Sequence, residues 1–173
     1  MSLIQTGYVS ALAETYPVWM SDITHFDDAL RMIQDVGEIT DRGPQASELI
    51  QQIAVAFQKI QIRTEKRVLY LIWKSPWMAA GKSTFIDSMI TKGGWQNAIS
   101  LERYPSLTES QIQSINPDIV FLSSEPFPFA DKHMEELKSI LSKSKIILVD
   151  GEMFSWYGNR MLQAPAYFNS LPV

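Results

Sequence analysis

The chain has 173 residues, of which 46% are hydrophobic and 20% charged, as in an ordinary soluble globular protein. A net charge of −4 without a basic stripe argues against nucleic acid as the main partner. No apolar stretch approaches the ~20 residues of a membrane helix, and the absence of cysteine excludes disulfides, thiolate metal sites and cysteine nucleophiles.

The first third of the chain is predicted to be mostly helical. Residues 9–12 are expected in a helix and residues 17–20 in a short strand. Two apolar stripes at helical spacing follow, separated by Gly37 and Gly43-Pro44. Thr24 is expected to cap the first of them. The stripes consist of Phe26, Ala29, Leu30, Ile33 and Val36, and of Ala46, Leu49, Ile50, Ile53, Phe57 and Ile60.

From Arg67 onwards the sequence alternates between strands and helices. Continuous apolar runs, typical of strands buried on both faces, lie at 68–73, 119–123 and 146–149, with a shorter strand predicted at 97–101. Helices are predicted at 83–92, after a capping box at Thr108 and Gln111, at 131–141 and from about Trp156. The pattern predicts an α/β fold: a parallel sheet in a three-layer lobe, preceded by the helical segment.

Three of these strands end in loops that are rich in aromatic residues. In open parallel sheets, ligands bind beyond the carboxyl ends of the strands, so the loops predict a binding cleft. Glu125, Glu152 and Arg160 are candidate polar fixing points. The apolar candidates are Trp73, Trp77, Met78, Phe127, Phe129, Phe154, Trp156 and Tyr157. We expect Phe129 and Phe154 to pack beneath their own loops, and Trp77 and Trp156 to be exposed.

Two enzyme alternatives remain open at this point. The segment 76–83, which contains Gly81-Lys82-Ser83, is similar to a phosphate-binding loop, but Pro76 replaces its first glycine and has no N–H to offer a phosphate. Glu125 and Glu152 at neighbouring strand ends form the kind of carboxylate pair that a glycoside hydrolase uses. Alternatively, each carboxylate accepts hydrogen bonds within its own loop.

Other catalytic and metal-binding patterns are weak. His25 and His133 are far apart in the sequence, each at a predicted helix start, and no third ligand accompanies them. No serine lies in a Gly-x-Ser-x-Gly nucleophile elbow. The leading prediction is a non-enzymatic protein with no catalytic residues, no metal site and no cofactor, and the two enzyme alternatives are kept as the competing class.

Six short motifs together resemble the cobalamin/iron-siderophore/haem class of ABC-importer substrate-binding proteins, in particular the vitamin B12-type or iron-complex receptors. The resemblance runs from Val18 to Tyr167. The motifs are Ile72-Trp-Lys-Ser-Pro-Trp-Met78, Thr84-Phe-Ile86, Arg103-Tyr-Pro105, Asn116-Pro-Asp118, Ser124-Glu-Pro-Phe-Pro-Phe129 and Asp150-Gly-Glu-Met-Phe-Ser-Trp-Tyr-Gly158.

Receptors of this class have two α/β lobes joined by a long rigid helix, with the ligand held between the lobes. The resemblance implies a remnant of the first lobe at 1–24, a long connecting helix at 25–62 and a C-terminal ligand-binding lobe at 67–173. Only residues 18–20 resemble a strand of the first lobe. The chain would then be half of a two-lobed receptor, and a homodimer through the open cleft face is a further expectation.

The resemblance also implies the ligand and the partner. The ligand would be a metal chelate or a corrinoid, captured for an ABC permease. The contacts would be Trp77, Met78, Tyr104, Glu125, Phe127, Glu152, Trp156, Tyr157 and Arg160. The permease-docking glutamate of the family falls at Ser110, so the adjacent Glu109 is the candidate here, displaced by about 100° around the helix.

The implied location is the periplasm, or the outer face of a membrane to which the full-length protein is anchored. Met1-Ser-Leu-Ile4 lacks the basic region and the apolar core of a signal peptide, so we predict none within this chain.

Overall fold

The computed structural model describes residues 3–61 and 65–173. Helices α1 (Leu3–Ala13), α2 (Phe26–Ile39) and α3 (Gly43–Phe57) come first. The sheet region contains β1 (Arg67–Trp73), β2 (Trp77–Ala79), α4 (Phe85–Lys92), β3 (Gln96–Asn97), β4 (Ser106–Leu107), α5 (Glu109–Ile115), β5 (Ile119–Ser123), α6 (Asp131–Ile140) and β6 (Lys145–Val149). The last elements are α7 (Glu152–Ser155), a 3-10 turn (Asn159–Leu162) and α8 (Ala164–Ser170).

Residues 25–61 contain two packed helices, as the two apolar stripes indicated, so the single long connecting helix expected from the resemblance is wrong. Asp41 adopts a left-handed φ of 55° between α2 and α3, and Pro44 lies in the first turn of α3, where its missing N–H costs no helical hydrogen bond. A Cβ on Gly37 would approach the Cβ of Ala46 to 2.4 Å, which shows how closely the two helices pack. Residue 62 lies outside the described residues.

The segment before α2 corrects two further predictions. Residues 9–12 lie in α1, as predicted, but residues 17–20 form no strand and are exposed. A strand requires a hydrogen-bonded neighbour, and the described sheet offers none to this segment. The cap residue of α2 is His25 rather than Thr24, and the Asp28 carboxylate accepts the backbone N–H groups of both.

The sheet has the order β4-β2-β1-β5-β6, with β3 also paired to β1. β1, β5, β6 and β3 pair in parallel, which confirms the predicted parallel α/β architecture. β2 and β4 were not predicted. β2 folds back antiparallel onto β1 and pairs antiparallel with β4. The short strand expected at 97–101 is limited to Gln96–Asn97.

Two apolar cores cover the two faces of the sheet, which confirms the three-layer arrangement. Because side chains alternate along a strand, Val68 and Tyr70 of β1 belong to one core, with residues of α2, α3, α4, α7 and α8. Leu69 and Leu71 belong to the other core, with residues of α5 and α6. The buried strands are therefore apolar without alternation, as the sequence predicted.

Capping explains where α5 begins and ends. The Thr108 hydroxyl accepts the backbone N–H of Gln111 at 3.2 Å, and the Gln111 side chain accepts the N–H of Thr108 at 2.8 Å, so the predicted capping box is confirmed. Asn116, with a φ of 44°, ends the helix before Pro117. The predicted last helix is present, but it begins at Ala164 rather than at about Trp156, because α7 ends at Ser155 and the chain then turns at Gly158 with a φ of 94°.

Candidate ligand-binding surface

The loops that follow β1, β5 and β6 meet at one edge of the sheet. The parallel register aligns Leu71 with Leu122, and Ser123 with Val149, so the three strands end side by side. The aromatic loops predicted from the sequence are consequently neighbours, although they come from distant parts of the chain.

Five aromatic residues at this edge keep part of their side chains in solvent, and we call them the aromatic surface: Trp73, Tyr104, Phe127, Trp156 and Tyr157. Trp156 is 52% exposed and Tyr157 is 47% exposed, so the predicted exposure of Trp156 is confirmed. The ring of Tyr157 packs edge-on against Phe85 at 5.6 Å. Trp73 and Phe127 meet edge to face at 5.5 Å.

Tyr104 lies within electrostatic range of Tyr157. Partial desolvation, with a smaller contribution from Tyr157, raises the pKa of the Tyr104 phenol, while the positive charge of Arg103 acts in the opposite direction. The Tyr104 phenol therefore remains a neutral hydrogen-bonding group at physiological pH, set beside apolar rings. Such a combination suits a large ligand that is partly apolar and partly polar.

Glu125 contacts Trp156 across two loops. Its Oε1 atom accepts the indole Nε1–H of Trp156 at 2.8 Å and lies 3.1 Å from the hydroxyl oxygen of Ser155. The carboxylate group is thus directed at its neighbours on the chain, as in the loop-shaping alternative considered above.

The other two predicted polar residues pair with each other. The guanidinium of Arg160 forms an ion pair with the carboxylate of Glu152 and donates to Gln163 at 3.2 Å. Both side chains of the pair remain about one-third exposed. Glu125 and Glu152 therefore have separate partners within the protein.

Trp77 is only 6% exposed, so the prediction that it is exposed is wrong. Its indole stacks on Phe129, and the ammonium group of Lys74 lies 4.8 Å from its ring centroid. The fold-back of β2 places Trp77 in the core that α5 and α6 cover. Phe129 and Phe154 are buried, as predicted, and Met78 is half-buried in β2.

The phosphate-loop alternative fails on the backbone geometry. The N–H of Gly81 donates to the carbonyl of Arg103, and the N–H of Lys82 donates to the carbonyl of Leu101, both at 2.7 Å. The Lys82 ammonium group binds the carboxylate of Asp87 at 3.0 Å. The groups that would surround a phosphate are therefore already engaged within the protein.

The two histidines lie at the N-termini of helices α2 and α6. Each ring lies at the beginning of a helix, and His133 is buried between the rings of Phe127 and Phe129. Burial, together with the charges of Lys132 and Lys74, lowers the pKa of His133. Among the described residues, no group of three or more His, Cys, Asp or Glu side chains is placed to hold a metal ion.

The sequence patterns did not indicate two residues of the site, Ser155 and Gly151. Ser155 lies against Glu125, and Gly151 leaves space for the Glu125 side chain, as described below. Each contact joins loops that are separated by about 30 residues, and no short spacing in the sequence indicates it.

Glu109 is exposed as the first residue of α5. The neighbouring Ser110 hydroxyl lies 2.9 Å from the hydroxyl of the cap residue Thr108. Glu109 therefore presents a carboxylate at the surface, and its docking role stays a prediction. Within the described residues, no helix has the length and apolarity needed to cross a bilayer.

A family model of periplasmic binding proteins matches residues 9–144. No curated protein matches the chain. A possible iron-binding (periplasmic solute-binding) protein from Staphylococcus epidermidis has a similar fold, with a TM-score of 0.77 and 21% identity over 95% of this chain and 69% of that one.

Two structures from Vibrio cholerae are also similar. The periplasmic heme-binding protein HutB has a TM-score of 0.74 and 22% identity, over 96% of this chain and 71% of that one. The periplasmic vitamin B12-binding protein BtuF has a TM-score of 0.75 and 12% identity, over 96% of this chain and 68% of that one. At these identities, the similarity shows a shared fold.

Proposed function

Because this chain belongs to the periplasmic binding protein family, we propose that it is the substrate-binding component of an ABC importer and captures an iron complex, haem or cobalamin. Proteins of similar fold are named for binding iron, heme and vitamin B12. The observation that carries the proposal is the aromatic surface at the carboxyl edge of the parallel sheet.

The chemistry of this surface suits such ligands. Trp156, Tyr157 and Tyr104 are each about half exposed, and aromatic rings provide large contact areas with few rotatable bonds. Met78 adds a half-buried, adaptable apolar side chain next to the edge. The ion pair of Glu152 with Arg160 neutralises the charges of these two side chains, which favours a bulky ligand held mainly by ring contacts.

The proposed role is non-enzymatic and extracytoplasmic. The family consists of periplasmic binding proteins. The carboxylates of Glu125 and Glu152 have partners within the protein, namely Trp156 and Arg160. Delivery would occur when the receptor docks on its permease, with Glu109 as the docking residue. The exposed aromatic surface is also the face through which a homodimer would form, because a large exposed apolar patch favours association.

Tryptophan fluorescence tests the proposal. Haemin, cyanocobalamin and a ferric siderophore are titrated separately, with N-acetyltryptophanamide as a control for absorption of light by the ligand. We expect saturable quenching by at least one of them, and weaker binding in Trp156→Ala. The matched control is Trp19→Ala, which removes an exposed tryptophan outside the strand-end loops. Quenching by ATP alone, with none by the three ligands, would contradict the proposal.

A further inference from the structure

We propose that Glu125 is a positioning residue that holds the indole of Trp156 in a ligand-ready orientation. The consequence for binding rests on the proposed function, whereas the positioning itself is a property of the ligand-free protein. Glu125 and Trp156 are 31 residues apart, in the loops that follow β5 and β6, so their hydrogen bond joins two of the three loops at the sheet edge.

The contact is built around one carboxylate oxygen. Oε1 of Glu125 accepts the Trp156 Nε1–H at 2.8 Å, and the Ser155 hydroxyl lies 3.1 Å from the same atom. The indole N–H has no acceptor function, so its one hydrogen bond defines which way the ring faces.

Glu125 is itself held in place by the strand ends. The Ser123 hydroxyl donates to the carbonyl of Glu125 at 2.6 Å and accepts from the buried hydroxyl of Tyr70 at 3.1 Å. A Cβ on Gly151 would lie 2.7 Å from Cγ of Glu125 and 2.4 Å from Oγ of Ser123. Only a glycine at position 151 lets the Glu125 side chain cross the start of α7 towards Trp156.

Trp156 gains from such a contact because about half of its side chain lies in solvent. It follows the last residue of α7, is 52% exposed, and is followed two residues later by Gly158 with a φ of 94°. An exposed ring without a fixed partner loses rotamer freedom when a ligand binds, which weakens binding. The Glu125 carboxylate fixes the orientation of the Trp156 ring before a ligand binds, so Glu125 affects ligand binding through Trp156.

The first test uses the full chain without ligand. Hydrogen exchange of the Trp156 indole N–H is followed by 15N NMR in the wild type and in Glu125→Ala, Glu125→Gln and Glu135→Ala. We expect about three- to tenfold faster exchange in Glu125→Ala. Glu125→Gln retains an acceptor oxygen and is expected to stay near the wild type, as is Glu135→Ala, an exposed control on α6. Unchanged exchange in Glu125→Ala would overturn the proposal.

The second test uses haemin as the probe. Glu125→Ala is expected to bind about three- to tenfold more weakly than the wild type, and Glu125→Gln nearly as well as the wild type. In a Trp156→Phe background, Glu125→Ala should add no further loss, because the residue it positions has no N–H. Equal losses in Glu125→Ala with and without Trp156 would overturn the proposal. If the wild type does not bind haemin, the haem assignment fails, while the exchange measurement still decides the positioning role.

Discussion

The indole of Trp77 and the phenyl ring of Phe129 stack with their planes 5° apart and their centroids 6.1 Å apart. Trp77 comes from β2 and Phe129 from the loop before α6, so the pair joins the fold-back of β2 to the loop that carries Glu125. Both rings belong to the core that α5 and α6 cover. Because Trp77 is buried in this contact, we expect it to contribute to stability. The exposed rings are then the candidates for ligand contact.

Trp77→Ala is expected to destabilise the fold by about 3 kcal/mol or more, since truncation of a buried aromatic residue removes apolar burial and leaves a cavity. Trp156→Ala should change the free energy of unfolding by less than about 1 kcal/mol, because its ring is half exposed. Urea denaturation followed by circular dichroism measures both. Equal losses in the two variants would show that Trp77 is not a core residue.

Gly151→Ala is expected to destabilise the protein by about 1–3 kcal/mol, because the added methyl group would overlap Ser123 and Glu125. It should also speed the exchange of the Trp156 indole N–H. The control is Gly43→Ala in the first turn of α3, where a Cβ meets nothing within 4 Å. That variant should be neutral or up to about 1 kcal/mol more stable, since alanine favours a helix over glycine.

Glu109→Arg is expected to reduce permease-dependent uptake about tenfold or more, because reversing a charge at an interface opposes association. Ligand binding should be unchanged, since Glu109 lies at the exposed start of α5. Glu135→Arg on α6 is the matched control. Transport with the cognate permease in proteoliposomes, alongside fluorescence titration of the ligand, separates the two steps. Normal uptake by Glu109→Arg would exclude a docking role.

His133 is expected to make stability depend on pH. Burial lowers its pKa below the ordinary 6.5, and its Nδ1 accepts the N–H of Ala130 at 2.9 Å, a bond that the protonated ring cannot make there. A depressed folded-state pKa contributes stability above pH 6.5, and this contribution is lost as the pH falls from there through the folded-state pKa. The dependence reaches at most about 1.4 kcal/mol per pH unit.

His133→Gln provides the comparison, because its amide oxygen can accept the same N–H without titrating. We expect the stability difference between the wild type and this variant to be constant above about pH 7 and to shift against the wild type below pH 6.5. Urea midpoints between pH 5 and 8 measure it. A parallel pH dependence in the two proteins would show that His133 does not titrate in this range.

Local patterns determined much of the fold. The apolar runs of β1, β5 and β6 predict buried parallel strands because a strand covered on both faces has no polar side. The capping box at Thr108 and Gln111 needs only residues three positions apart. The exposure of Trp156 and the burial of Phe129 and Phe154 were also predicted correctly.

The features missed by the sequence depend on distant partners. The two apolar stripes already indicated two helices, and the single helix at 25–62 was expected only from the family resemblance; the sequence did not show the left-handed turn at Asp41 that lets α2 and α3 pack together. The burial of Trp77 depends on the antiparallel return of β2 and on Phe129, which is about 50 residues further along the chain. A pattern of apolar residues within a short stretch of sequence cannot indicate a contact between residues so far apart.

The sequence by itself therefore determined a parallel α/β lobe with aromatic loops at one sheet edge, because strand burial and helix caps are encoded within short segments. Only the tertiary structure decided what each polar residue of the site does. Glu125 accepts a hydrogen bond from Trp156, and Glu152 forms an ion pair with Arg160. A carboxylate accepts hydrogen bonds from the donors that lie within about 3 Å of it. The packing of separate loops determines which donors these are, and that packing is not encoded in a short segment.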